Sequence, residues 1–143
     1  MGINRPGTFL SARADWVSPG GIKAGHVFTV VVGNGLGGRF GFKAVGANLM
    51  GMTTAPFGGL ETDVNLSVTL TAFTSVDLLA VRRASSVEFY VNGVLKGSST
   101  TNLPTGVDDM SLDLYELTVT NEPSNSTDAQ LAVNMLTVGI PMF

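Results

Sequence analysis

Any chemistry in this sequence has to be built from few parts. There is one histidine, His26, and no cysteine. Thiol catalysis, zinc-thiolate sites and a disulfide framework are therefore excluded, and a His-dependent triad could centre only on His26. His26 stands just before an apolar β-type run, where a turn or strand-edge role is expected. Glu61 and Asp63 are spaced i, i+2, and two carboxylates about 5 Å apart are what retaining glycoside hydrolysis requires. They precede the alternation that begins at Val64, so a solvated loop end is expected instead. Asp108, Asp109, Asp113 and Glu116 form the densest acidic group. A hard cation such as Ca²⁺ takes several oxygens from such a loop, but this spacing fits no ligand loop and reads as a solvated acidic turn. Gly33-Asn34-Gly35-Leu36-Gly37-Gly38 matches G-x-G-x-x-G in form. That fingerprint works by presenting a helix N-terminus to pyrophosphate, whereas Arg39-Phe40-Gly41-Phe42 alternates like a strand, so a hairpin loop is expected. Asn65-Leu66-Ser67 and Asn125-Ser126-Thr127 are glycosylation acceptor patterns that carry weight only in an exported chain. No catalytic residue, metal site or cofactor is expected.

The elements that could position such residues are strands. Val64, Leu66, Val68, Leu70 and Ala72 alternate with polar residues at period 2, as in a half-buried strand. Val76 to Val81 is apolar on both faces and suits the middle of a sheet. Val87, Phe89 and Val91 alternate up to Asn92-Gly93, beyond which Val94-Leu95-Lys96 resumes. Asn-Gly between β-rich runs is the strongest short-range hairpin signal. Val27 to Val32 is β-branched and aromatic, and Arg39 to Lys43 carries its Phe residues on one face. Leu112 and Leu114 are out of phase with Leu117 and Val119, which predicts a bulge near Tyr115-Glu116. Leu131 to Val138 forms a last strand before Pro141. No segment of ten residues holds a helical apolar stripe, and 18 Gly with 6 Pro punctuate the chain. The pattern predicts an all-β fold, a two-sheet antiparallel sandwich of jelly-roll type.

Length and composition bound the rest. The 143 residues suit one domain, divided here into an extended N-terminal arm over 1–10 and a sandwich over 11–143. Charged residues make up 13%, against about a quarter in typical soluble domains. With 44% hydrophobic residues and a mean hydropathy of +0.31, either the outside is a neutral Ser/Thr/Asn/Gly coat or apolar surface is covered by other molecules. A net charge of −3 argues against nucleic acid, which calls for a basic stripe. No apolar run is long enough to span a bilayer, so no membrane partner is expected. Met1 to Gly7 lacks a signal-peptide centre, and Pro6 stands where myristoylation needs Ser or Thr.

The run Val87 to Gly97, followed by Thr100-Thr101-Asn102-Leu103-Pro104, resembles the strand, Asn/Asp-Gly turn, strand, Pro stretch of concanavalin-like (laminin-G-like) jelly rolls. The resemblance covers about Phe9 to Ile140 and extends to phage structural proteins. It implies an auxiliary (decoration or cement) protein of a tailed-phage capsid, not an enzyme, sited on the virion surface. It would bind the major capsid protein and copies of itself as a homotrimer. Partner contacts are expected at the arm and the apolar C-terminal tail, through Ile3, Arg5, Phe9, Leu10, Met142 and Phe143. The alternative is a carbohydrate-binding or tail-fibre adhesion module, with Trp16, Tyr90 or Tyr115 stacking on a sugar.

Overall fold

Alternation becomes pairing throughout the computed structural model, which describes residues 6–18, 20–33, 38–104, 114–120 and 130–139. Ten strands lie among these residues: β1 (Phe9–Val17), β2 (Val27–Gly33), β3 (Arg39–Val45), β4 (Asn48–Thr54), β5 (Glu61–Thr69), β6 (Ser75–Arg82), β7 (Val87–Val91), β8 (Val94–Ser99), β9 (Leu114–Thr120) and β10 (Gln130–Gly139). They form two sheets of order β10-β1-β6-β7-β8 and β5-β4-β3-β2-β9, with antiparallel neighbours throughout. This is the sandwich that the alternation predicts.

The inner faces meet through alternate residues. Leu10, Ala12 and Trp16 of β1, Leu78 and Ala80 of β6, and Val87, Phe89 and Val91 of β7 are buried in the same cluster as Phe28, Val30 and Val32 of β2 and Phe40 and Phe42 of β3. Two aromatic pairs cross between the sheets. Phe42 and Phe89 meet edge to face with centroids 5.7 Å apart, and Trp16 lies 4.9 Å from Phe28. Where β4 passes Phe89 the chain has Gly51, and a Cβ there would run into the Phe89 ring. Near one end of the sandwich, the Thr53 and Ser99 hydroxyls bond at 2.9 Å, tying β4 to β8.

Turns and bulges fix register. Asn92 and Gly93 have φ of 50° and 79°, the two positive values that a type I′ turn demands. In the β4–β5 ladder Leu49 pairs with Val68 while Met50 pairs with Asn65, leaving Leu66 and Ser67 as a bulge. Ser67 has φ 54°, and its N–H donates to Asn65 Oδ1 at 2.9 Å.

Several expectations are corrected. Phe9 and Leu10 are not arm residues: they open β1, which pairs on both sides with β6 and β10, and Leu10 is wholly buried in this chain's own core. The arm boundary at residue 10 therefore falls inside a strand; Ile3, Arg5, Met142 and Phe143 lie outside the described residues. The bulge expected near Tyr115-Glu116 is absent, since β9 pairs with β2 from Leu114 to Thr120 without a register shift. Glu61 and Asp63 are strand residues of β5, not a loop end.

Replacing Gly51 with Ala is expected to cost about 1–3 kcal/mol by overpacking against Phe89. Gly93→Ala, in an open turn at positive φ, should cost about 1 kcal/mol. Thermal unfolding of the two variants checks the ranking, and a larger loss at Gly93 would contradict the packing account.

Candidate functional site

Pairing fixes which side chains share the outer face of the second sheet. Three parallel rows cross β3, β4 and β5: Arg39, Thr54, Glu61; Gly41, Met52, Asp63; and Lys43, Met50, Asn65. Antiparallel strands sit about 4.8 Å apart, so Lys43 and the β5 carboxylates are separated by the width of β4. The long lysine stem spans it. Lys43 Nζ donates to Glu61 Oε1 at 2.6 Å and to Asp63 Oδ2 at 3.1 Å. Met52, in the row that this reach crosses, is only 2% exposed. The result is a fixed patch of one ammonium and two carboxylates beside thioether surface, with each charged side chain about a quarter to a third exposed.

Electrostatics separate the two acids. Partial burial pushes the Glu61 carboxyl up, but hydrogen bonds from Lys43 and Asp63 and the charges of Lys43 and Arg39 outweigh it, leaving Glu61 below the ordinary range. Asp63 is held above its ordinary range by partial burial, with the hydrogen bond and negative charge of Glu61 adding to it against Lys43. Lys43 is raised, chiefly by its hydrogen bond to Glu61 and against partial burial. Of the two, Glu61 stays ionised to lower pH.

The β4–β5 loop brings apolar groups to the end of this patch. Phe57 is 72% exposed and Leu60 is 76% exposed. Phe57 has φ 60° and Gly58 φ 70°, close to the 50° and 79° of Asn92-Gly93. At Asn92 the chain uses the side-chain-bearing residue that tolerates this conformation best; at Phe57 it uses one that tolerates it poorly. Burial does not explain the choice.

Other expected residues fall elsewhere. His26 is buried, with Nδ1 accepting the Lys23 N–H at 3.1 Å and its ring 5.8 Å from Trp16, a structural role. Trp16 is 2% exposed and cannot stack on a sugar as first expected. The dimple beside it, lined by residues that include Phe28, Leu70 and Val76, has no room even for a water-sized molecule, and so none for a small-molecule ligand. Tyr90 lies on the outer face of the other sheet, where its hydroxyl donates to Glu88 Oε2 at 2.8 Å. Gly33 and Arg39 pair across β2 and β3, so the glycine-rich stretch leads into a strand and not into the helix that the dinucleotide fingerprint needs. Asp108, Asp109, Asp113 and Asn125 lie outside the described residues, Glu116 pairs with Val31, and Asn65 is exposed at the β5 bulge. Among the described residues no cluster of three His, Cys, Asp or Glu could hold a metal, and no helix is long and apolar enough to cross a membrane.

Sequence reasoning missed Lys43 and Phe57. Lys43 was legible only as an outward residue of the Phe40/Phe42 alternation. Carrying the β5 period back from Val64 to Glu61 would have placed both carboxylates on its outward face.

No protein-family model matches the sequence, and no curated protein matches it. Solved structures do resemble the fold. A β-1,3-glucanase from Mycobacterium marinum superposes with a TM-score of 0.63 at 12% identity, covering 94% of this chain and 64% of that one. A β-glucanase from Bacillus licheniformis gives 0.63 at 16%, covering 95% and 67%. A galectin from Caenorhabditis elegans gives 0.57 at 13%, covering 98% and 87%. The chain thus spans about two thirds of the length of these glucanases. None of the three is a capsid protein, so the expectation of a virion role gains no support from them. The likeness is one of fold: a two-sheet antiparallel β-sandwich of jelly-roll type.

Proposed function

We propose that the chain is a carbohydrate-binding module, and that its site is the outer face of the β5-β4-β3-β2-β9 sheet around Lys43. The observation that carries this reading is the Lys43–Glu61–Asp63 arrangement. Sugar hydroxyls both donate and accept, and they are bound well by donors and acceptors already held in place beside apolar surface. Lys43 supplies donors, the carboxylates supply acceptors, and Met50 supplies apolar surface. Phe57 offers the aromatic face that the sheet surface lacks among its described residues. The glucanase names of two structural neighbours point toward the same ligand class. The module binds without turnover. Glycoside hydrolysis needs one carboxyl free to act as acid toward the leaving group, whereas a single ammonium here engages both carboxylates.

A glycan array followed by calorimetry tests the reading. Lys43→Met should weaken binding of the captured glycan by about tenfold to a hundredfold, the size of a hydrogen bond to a charged group. A protein that captures no glycan, or a variant that binds as wild type, refutes it.

Phe57→Asn should act in opposite directions on stability and binding. Relief of the left-handed conformation is expected to stabilise the fold by about 1 kcal/mol, read as a higher unfolding temperature, while glycan affinity falls. A variant less stable than wild type would show that Phe57 serves the fold.

Carboxyl NMR titration should find Glu61 below and Asp63 above their ordinary ranges, and Lys43→Met should move Glu61 upward. Linkage gives the two acids opposite signs. The depressed Glu61 stabilises the fold above the ordinary glutamate range, and this is lost as pH falls through its folded value. The elevated Asp63 favours the fold at low pH, an effect that fades as pH rises through its folded value.

A further inference from the structure

The outer face of the β10-β1-β6-β7-β8 sheet differs from the patch just described. Its rows follow from pairing: Gly139, Phe9, Val81, Glu88, Ser98, and beside it Thr137, Ser11, Leu79, Tyr90, Leu95. An exposed antiparallel face ordinarily alternates polar-out, as β5 does with Glu61, Asp63 and Asn65. Here Phe9, Val81, Leu79, Tyr90 and Leu95 form a continuous apolar patch across four strands. Leu95 is 52% exposed, and the Phe9 ring lies over Gly139, where any Cβ would collide with it. Two ion pairs stand at opposite ends of the patch, Arg13–Asp77 at 3.5 Å and Arg83–Glu88 at 2.8 Å, and the same face carries Lys96, exposed beside Leu95 on β8, and Asp15, in the next outward position of β1 after Arg13.

From this we infer that the apolar patch centred on Leu79, Tyr90 and Leu95 is a self-association surface that takes a second copy of the chain, face to face about a two-fold axis. Charge selects that occupant. The whole chain carries −3, so two copies repel through most of their surface. Among the described residues this face carries Arg13, Arg83 and Lys96 against Asp15, Asp77 and Glu88, and is neutral. Its pairs stand at both ends, so a two-fold operation that reverses the strands sets one molecule's Arg83–Glu88 end toward the other's Arg13–Asp77 end and offers each arginine a further carboxylate. A strongly basic or acidic partner would leave half of these groups opposed by like charge. An isologous contact is also the commonest way for identical chains to close. It replaces the trimer that the phage resemblance implies with a pair, and turns the two glycan faces outward in opposite directions. The surface does not depend on the glycan reading.

Sedimentation equilibrium of the full chain should give twice the monomer mass, and Leu79→Lys/Leu95→Lys should return it to the monomer with the β-sheet circular dichroism retained. Charge is tested separately. Arg83→Glu, which leaves the border net negative, should weaken the pair by roughly tenfold, the scale of one interface anchor, and Arg83→Glu/Glu88→Arg should restore it. A wild-type chain that stays monomeric at several hundred micromolar overturns the inference, as does a dimer that survives the double lysine variant or a charge swap that fails to rescue Arg83→Glu.

Discussion

The approach of one sheet to the other at Phe89 and Gly51 is the constraint on which the rest of the structure depends. A ring that packs over a neighbouring backbone requires a position without a side chain, and Gly51 provides it. Phe42 then meets the same ring from β3, so three strands from two sheets converge on one aromatic. Burying a side chain of this size contributes about 1.5–3 kcal/mol, and interiors at crystal-like density tolerate little change of volume. The inner positions of β1 to β8 are thereby committed to packing. Outward positions and loop tips are what remain for recognition.

The two outer faces use that freedom differently. On one, Lys43 is held by Glu61 and Asp63 and lies above Met52, giving a patch that is polar yet rigid. On the other, apolar residues occupy outward positions across four adjacent strands, with Glu88 engaged by both Arg83 and Tyr90. Hydrogen bonding from Tyr90 and Arg83 keeps Glu88 ionised to lower pH than an ordinary glutamate, which preserves the charge balance of that face. Low overall charge is thus concentrated where it can orient a contact.

Legibility in the sequence followed the strength of the local signal. The β7–β8 hairpin was plain because Asn92-Gly93 has one favourable conformation and the flanking residues alternate cleanly. β6 was recognisable as central because it is apolar on both faces. The arm boundary falls two residues inside β1, and the rest of that strand carries no clear signal, because two of its four inward residues are Ala12 and Ala14, too small to register as an apolar stripe. β4 went unmarked because Gly51 interrupts it, and only the position of Phe89, far away in sequence, explains that glycine. The site was hidden for a related reason. Lys43 and Asp63 become neighbours only when β4 separates them by one strand width, and strand order is a tertiary fact. Phe57 resembles any loop residue until its backbone conformation is known.

Leu66 and Ser67 at the edge of the second sheet bear on how the protein behaves when concentrated. An open, flat edge offers a template on which another chain can add its own strand, and such growth has no natural stopping point. The outer edge of β5 is broken by two extra residues, one of them in a left-handed conformation, so an incoming strand finds at most a short stretch of aligned donors and acceptors. Fibre-like polymerisation through this margin is discouraged by backbone geometry alone, whatever the side chains around it become.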